Sequence, residues 1–256
     1  MHIIDAHAHV DTHSMSDFEA IALSGVTDIV TCAHDFLPRI SVPEVLYDHW
    51  HRLLTYEPIR VEKFGIKLHV ALGIHPQGIP KTRAKEAINV LEQYIDHERV
   101  VAIGETGLDL ASVEEIDVLK GQIKVAEKFD KPIIIHTPRK NKKQVLEKIL
   151  MIVKDSSISL ERVIVDHLNE ETVPIAGREG VWMGLSVQPG KLAPEDVLNI
   201  VRKFGSEKFV LNSDLGSALS DIFSLSKTVL KLKLEKVSEE DIINLAYLNA
   251  KKIFSI

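Results

Sequence analysis

Short apolar runs recur along the chain, each followed by a polar turn and a stretch whose apolar residues fall three and four positions apart. Eight runs, at 2–5, 26–33, 66–74, 100–104, 132–136, 162–166, 180–187 and 208–212, are mostly rich in Val and Ile and read as strands buried on both faces. The segments 16–24, 44–64, 82–97, 114–129, 141–154, 171–177, 192–204 and 218–232 read as helices. Ser238-Glu239-Glu240-Asp241 then opens a last helix through Phe254, with Ser238 as N-cap and Asp241 as a variant of the capping box. Met151 and Trp182 occupy apolar-patterned positions and are expected in the core. Eight βα units predict a closed (β/α)8 TIM barrel of the α/β class, since an open doubly wound sheet would announce a Gly-rich first turn and no GxGxxG follows the first run. Without a linker, a low-complexity tract or an internal repeat, one domain over 1–256 is expected.

A formal charge of −6 argues against a protein that grips duplex nucleic acid by a broad basic face, so any such contact must be local. The one cysteine, Cys32, cannot form an intrachain disulfide, and no Cys-rich zinc pattern is present. The opening His2-Ile3-Ile4-Asp5 lacks the basic, then apolar, order of a secretory leader, and no run of about 18 apolar residues occurs. A cytoplasmic protein with no membrane anchor is the expectation.

In a barrel, chemistry collects at the carboxyl ends of the strands. The predicted ends read Asp5-Ala6-His7-Ala8-His9, Gly73-Ile74-His75-Pro76, Gly104-Glu105, His136-Thr137, Asp166-His167 and Asn212-Ser213-Asp214. Imidazoles and carboxylates are the ligands of zinc and similar divalent ions. His7 and His9 lie two apart on an extended segment, so both point to one side. Glu105, His136, His167 and Asp214 each follow an apolar run on a different strand, and a barrel would converge them on one rim.

Together these segments resemble the TatD-type metal-dependent hydrolases of the amidohydrolase superfamily. The matching pieces are DAHAH at 5–9, GIHP at 73–76, GETGLD at 104–109, PIIIH at 132–136, DH at 166–167 and SD at 213–214, nearly the whole chain. The resemblance implies that His7, His9 and Asp214 bind one ion, that Glu105 bridges to a second, and that His136 and His167 complete it. Chemistry agrees, because two ions about 3.5–4 Å apart need an anionic bridge to offset their repulsion. A water between two divalent ions (zinc, manganese or magnesium) would lose a proton near neutral pH and attack, with Asp214 and Glu105 as the catalytic carboxylates and Asp214 receiving or relaying the proton. Two divalent ions, two carboxylates and a hydroxide leave about +1, which favours an anionic substrate.

His75, between Ile74 and Pro76, is the candidate donor to a substrate anion, and Asp109 is a candidate support for a ligand histidine. His34-Asp35 follows the second strand and is a candidate pocket lining. The run Arg139-Lys140-Asn141-Lys142-Lys143 opens the fifth helix, where cations oppose the helix dipole; Arg139 and Lys140 are therefore candidate substrate-binding residues. The chain departs from the family where substrates are chosen. Leu110 stands where many relatives carry tyrosine, Leu168-Asn169 replaces a small residue and phenylalanine, and Asn212-Ser213-Asp214-Leu215-Gly216 replaces Glu-Thr-Asp-Ser-Pro. These changes mark a divergent branch and weaken transfer of the family's deoxyribonuclease activity. The expected function is divalent-metal hydrolysis of phosphoester bonds, in nucleic acid ends or a small phosphoester. Amide or lactone hydrolysis is the second enzymatic reading, and a non-catalytic metal-binding regulatory protein the third.

Overall fold

The computed structural model describes residues 2–33 and 40–256. Eight strands, β1 (Ile3–Ala8), β2 (Val26–Cys32), β3 (Lys67–Leu72), β4 (Val100–Gly107), β5 (Ile133–His136), β6 (Val163–Val165), β7 (Trp182–Ser186) and β8 (Phe209–Asn212), form one sheet in chain order. Every neighbouring pair from β1 to β8 is parallel. Between and after them come α1 (Met15–Leu23), α2 (Glu44–Thr55), α3 (Glu57–Val61), α4 (Ala84–Leu91), α5 (Val113–Phe129), α6 (Lys142–Lys154), α7 (Val173–Gly177), α8 (Pro194–Phe204), α9 (Ser224–Leu234), α10 (Glu239–Ile243) and α11 (Asn249–Phe254). The predicted (β/α)8 barrel is the observed fold. No helix among the described residues is long and apolar enough to cross a membrane.

The barrel closes between β1 and β8 through a polar seam. The buried Asp5 carboxylate accepts the Ser213 amide at 3.0 Å and the Ser213 hydroxyl, while Asp214 N–H donates to the His7 carbonyl at 2.9 Å. His9 N–H donates to the Leu215 carbonyl at 2.6 Å, so the closure runs straight into the functional rim. Inside the barrel, Ile4, Ala6, Val30, Ile134, Ile164 and Val210 pack with Ala250, Ile253 and Phe254 of α11. A second, larger core fills the space between strands and helices.

Alternation along a strand explains where the site residues point only if its phase reverses twice. Ala6 faces the inner core and Ala8 the outer one, and the β1–β2 register shifts between Asp5 and Ala8. Ala102 faces inward, so strict alternation would turn Glu105 outward; the β4–β5 register shifts between Ile103 and Thr106. Such irregularities re-aim side chains. Here they turn His7 and Glu105 into the rim.

Several boundaries differ from expectation. The helix expected over 44–64 breaks between α2 and α3, because Pro58 has no N–H and its ring collides with the carbonyl four residues back. Helix 82–97 shortens to α4, and helix 218–232 begins only at Ser224. β1 and β4 run further than their apolar stretches, through His7 and Glu105 respectively. Ser238 caps α10 by accepting the Asp241 amide at 3.1 Å, and a π-helical stretch, Asn244–Leu248, carries the chain on to α11. Trp182 is buried as expected, whereas Met151 is 48% exposed. The buried stripe of α6 is Val145, Leu146, Ile149, Leu150, Ile152 and Val153, and at 100° per residue Met151 falls off that stripe.

Candidate metal centre

At the carboxyl ends of the strands a cavity of about 360 Å³ is lined by His9, His75, Glu105, His136, His167 and Asp214 among others. His7 lies buried directly beneath it. The structure thus gathers all six predicted ligands on one rim.

The hydrogen bonds fix which ring nitrogen each histidine presents. His7 Nδ1 donates to Asp166 Oδ2 at 2.6 Å and His9 Nδ1 donates to the Cys32 carbonyl at 3.1 Å. Neither oxygen can donate, so both rings keep a proton on Nδ1 and turn Nε2 toward the cavity, where it is an acceptor once the ring is singly protonated. His7 Nε2 and His9 Nε2 are 3.3 Å apart. Glu105 Oε2 lies 3.4 Å from the first and 3.8 Å from the second, and Asp214 Oδ1 lies 3.7 and 3.3 Å from them. Four atoms of metal-ligating type converge here, an arrangement that a cation satisfies.

The other Glu105 oxygen faces a different pair. Oε1 is 2.9 Å from His136 Nδ1 and 2.9 Å from His167 Nε2. His136 Nε2 is buried without a hydrogen bond, and Asp109 Oδ1 stands 3.6 Å away, where Asp109 was expected to support a ligand histidine. The buried Glu115 carboxylate positions that loop by accepting the Asp109 and Leu110 amides at 3.0 and 2.9 Å.

Electrostatics favour the ligand-competent forms of Glu105, Asp214 and His167, whereas, against burial, Cys32 and Glu105 raise His7 well above the usual imidazole range and Asp109 and Glu105 raise His136. Burial opposes ionisation of Glu105, but His7 and His75 beside it and hydrogen bonds from His136 and His167 hold it well below the usual carboxylate range. Burial likewise opposes ionisation of Asp214, and neighbouring charge, that of Lys191 included, overcomes it. Burial, aided by the Lys191 charge, pushes His167 down to about 4, so its ring is neutral at neutral pH, the form that ligates a metal.

Two site residues stand in left-handed backbone, His167 at φ 60 and Asp214 at φ 48. For residues with a Cβ this conformation costs about 1–2 kcal/mol each, offset here by the surroundings. His167 N–H is held by Asp166 Oδ1 at 2.7 Å. Asp214 N–H is held by the seam already described. Chains bent this way aim both side chains at the cavity.

Some contributors were not among the candidate site residues read from the sequence. Asp166 belongs to the DH segment but reaches the site from behind, also accepting from Asn212 Nδ2 at 2.9 Å. Gly184 permits its approach, since a methyl there would stand 2.6 Å from the Asp166 carboxyl carbon. Lys191, in the loop after β7, pairs with Asp214 Oδ2 and lies 3.0 Å from His167 Nδ1. Gln122 of α5 ties the ends of β3 and β4 together through Ile74 and Thr106.

The remaining candidates divide. His75 Nδ1 accepts the Gln77 amide at 3.2 Å, which leaves its Nε2 to carry the proton, 4.0 Å from Glu105 Oε2. Arg139 lines the cavity, while Lys140 is exposed and outside its lining. Lys142 turns inward to Thr137 and the His167 carbonyl, and burial with the nearby Lys191 and Arg139 pushes it down to about 8. His34 and Asp35 lie outside the described residues.

The model of the TatD-related DNase family matches residues 4–255. The chain belongs to that family. An uncharacterised metal-dependent hydrolase of Methanocaldococcus jannaschii is 45% identical over 255 residues, covering 99% of this chain and all of that one. A solved TatD-like protein from Archaeoglobus fulgidus superposes with a TM-score of 0.84 at 32% identity, covering 99% of this chain and 100% of its own. The Escherichia coli phosphotriesterase homology protein, solved with phosphate in its active site, shares the fold at a TM-score of 0.76 and 16% identity, with 98% of each chain covered. This TatD-family chain is accordingly a metal-dependent hydrolase, and the rim of histidines and carboxylates supplies three-ligand clusters able to hold an ion.

Proposed function

We propose that this protein hydrolyses phosphoester bonds at a binuclear divalent-metal centre. One observation carries the reading: the two oxygens of Glu105 face two different histidine pairs, Oε2 toward His7 and His9 and Oε1 toward His136 and His167. His7, His9 and Asp214 would hold one ion, and His136 and His167 the other, with Glu105 between them. Zinc, manganese or magnesium so bound supplies Lewis acidity that brings a water's pKa near neutrality and polarises an oxygen of the scissile group.

The chain's own groups do the rest. Asp214 accepts the proton of the attacking water through the carboxylate that Lys191 orients. His75 Nε2–H and the Arg139 guanidinium donate to anionic oxygens from the cavity wall. Asp109 and Asp166 hold the His136 and His7 rings in place. A cationic wall and a net positive centre suit a phosphate of a nucleic acid end or of a small phosphorylated metabolite.

Metal content measured alongside hydrolysis of a panel of phosphodiesters, phosphomonoesters, lactones and amides tests this. Phosphoester hydrolysis that rises with metal loading is the expected result. Turnover confined to lactones or amides would select the alternative chemistry, and a fully loaded protein inert on all four would point to a regulatory role.

A further inference from the structure

Behind His167 lies a second cavity, of about 140 Å³, lined by Arg139, Lys142, His167, Asn169 and Lys191 among others. Three cations and no carboxylate line it. It shares Arg139, His167 and Lys191 with the larger cavity, but none of Glu105, His9, His136 or Asp214. Lys142 is fixed in its wall, with Nζ 2.7 Å from the His167 carbonyl and 2.9 Å from Thr137 Oγ1, both neutral oxygens. Among the described residues Arg139 reaches only the Gln188 amide oxygen, over a long 3.4 Å. Among the described residues neither Arg139 nor Lys142 forms an ion pair.

Lys191 is paired with Asp214 Oδ2 in the larger cavity, but local structure does not explain why Arg139 and Lys142 converge on it. Lys142 is the first residue of α6, where a cation opposes the helix dipole, and it sits within the field of two further cations. An anion between them would reverse both costs and match the guanidinium fork of Arg139. His167 lines both spaces, whereas Glu105 lines only the larger one.

We infer that the Arg139–Lys142–Lys191 cavity is a second anion subsite, which takes a phosphate next to the one undergoing hydrolysis. The inference rests on the phosphoester reading above and narrows it to substrates with at least two phosphates. Such a pair occurs at a nucleic acid end with a neighbouring phosphate and in a small bisphosphorylated metabolite.

The decisive measurement is calorimetric titration of inorganic phosphate into metal-depleted protein, where no metal-borne charge contributes to binding in the larger cavity. Arg139→Gln should weaken binding about tenfold, the loss of one charge-assisted contact. Lys142→Gln should do the same; because Lys142 also ties Thr137 to His167, the exposed Arg139 position carries the test if that variant folds poorly. Lys148→Gln, further along α6, lowers the net charge equally and should leave binding unchanged. In the metal-loaded enzyme, a substrate bearing a second phosphate should have the lower KM, and Arg139→Gln should erase that preference. Paired oligonucleotides with and without a 5′-phosphate, and paired small mono- and bisphosphates, show which source supplies it. Phosphate binding unchanged in both variants would overturn the subsite even if phosphodiesters are hydrolysed. Binding lost in the variants of a protein that hydrolyses no phosphoester would uphold the anion subsite and remove the phosphoester reading.

Discussion

His7 Nδ1 donates to Asp166 Oδ2 over 2.6 Å, and that bond makes the His7 tautomer a property of a residue on another strand. Asp166 Oδ1 meanwhile accepts from the His167 amide and Asn212 Nδ2, so both carboxylate oxygens face donors. Asp166→Asn must set an amide N–H against one of them. The His7 ring should then lose its orientation, and metal affinity should fall about 10–100-fold, the usual cost of removing the partner that orients a ligand histidine. Gly184→Ala should act in the same direction by displacing Asp166. Equilibrium dialysis against a competing chelator measures both; parent affinity in the two variants would show that His7 needs no such support.

Glu105→Gln addresses the bridge. Each carboxylate oxygen faces its own histidine pair, and an amide presents an oxygen to only one of them. Occupancy should fall at both positions, because the shared charge that offsets repulsion between two ions is gone. Elemental analysis after loading and dialysis checks it. Loss of a single ion, with the other held as in the parent, would contradict a bridging role.

The barrel was legible because runs of Val and Ile mark strands buried on both faces, and the first polar residue after each run marks a rim. That is how His7, His136, His167 and Asp214 were found. Glu105 was found by the same logic for a partly different reason: apolarity stops at Ile103, but hydrogen bonding continues to Gly107, so the residue lies inside β4. Its inward aim depends on a register shift between Ile103 and Thr106 that no apolar alternation encodes. Lys191 and Gln188 stayed hidden because the loop after β7 follows no periodicity. The basic run was read as one feature, yet its turn into α6 sends Lys142 inward and leaves Lys140 and Lys143 in solvent.

The seam between β1 and β8 makes closure of the barrel sensitive to one carboxylate. Asp5 accepts from the Ser213 amide and hydroxyl and from the His7 amide, all buried. Asp5→Ala strands these donors away from water and should destabilise the protein by about 2–4 kcal/mol, since each buried donor left unpaired costs about 1–3 kcal/mol and part of that is recovered by relaxation. Denaturant unfolding reads the loss as a lower midpoint with an unchanged slope. Because Asp214 hangs from the same seam, metal affinity should fall as well. A midpoint equal to the parent's would mean that the backbone bonds from Asp214 and His9 hold the seam without Asp5.

Asp214 separates holding a metal from using it. Its Oδ1 belongs to the acceptor cluster with His7 and His9, while Oδ2 is paired with Lys191, so one residue meets both the ion site and the cation of the substrate wall. Asp214→Asn keeps an oxygen for the cluster but removes the proton acceptor and the charge that anchors Lys191. In a metal-saturated variant kcat should fall by about 10²–10⁴, equivalent to roughly 3–5 kcal/mol of transition-state stabilisation, with KM changed much less. Lys191→Met should show the complementary pattern: a higher KM for anionic substrates, more pronounced at low ionic strength, and a smaller loss of kcat. Steady-state kinetics with occupancy measured in parallel distinguishes the two, because ion loss would depress both variants alike. If the Asp214 variant retains its metals and turns over at the parent rate, proton transfer belongs to another group on the rim.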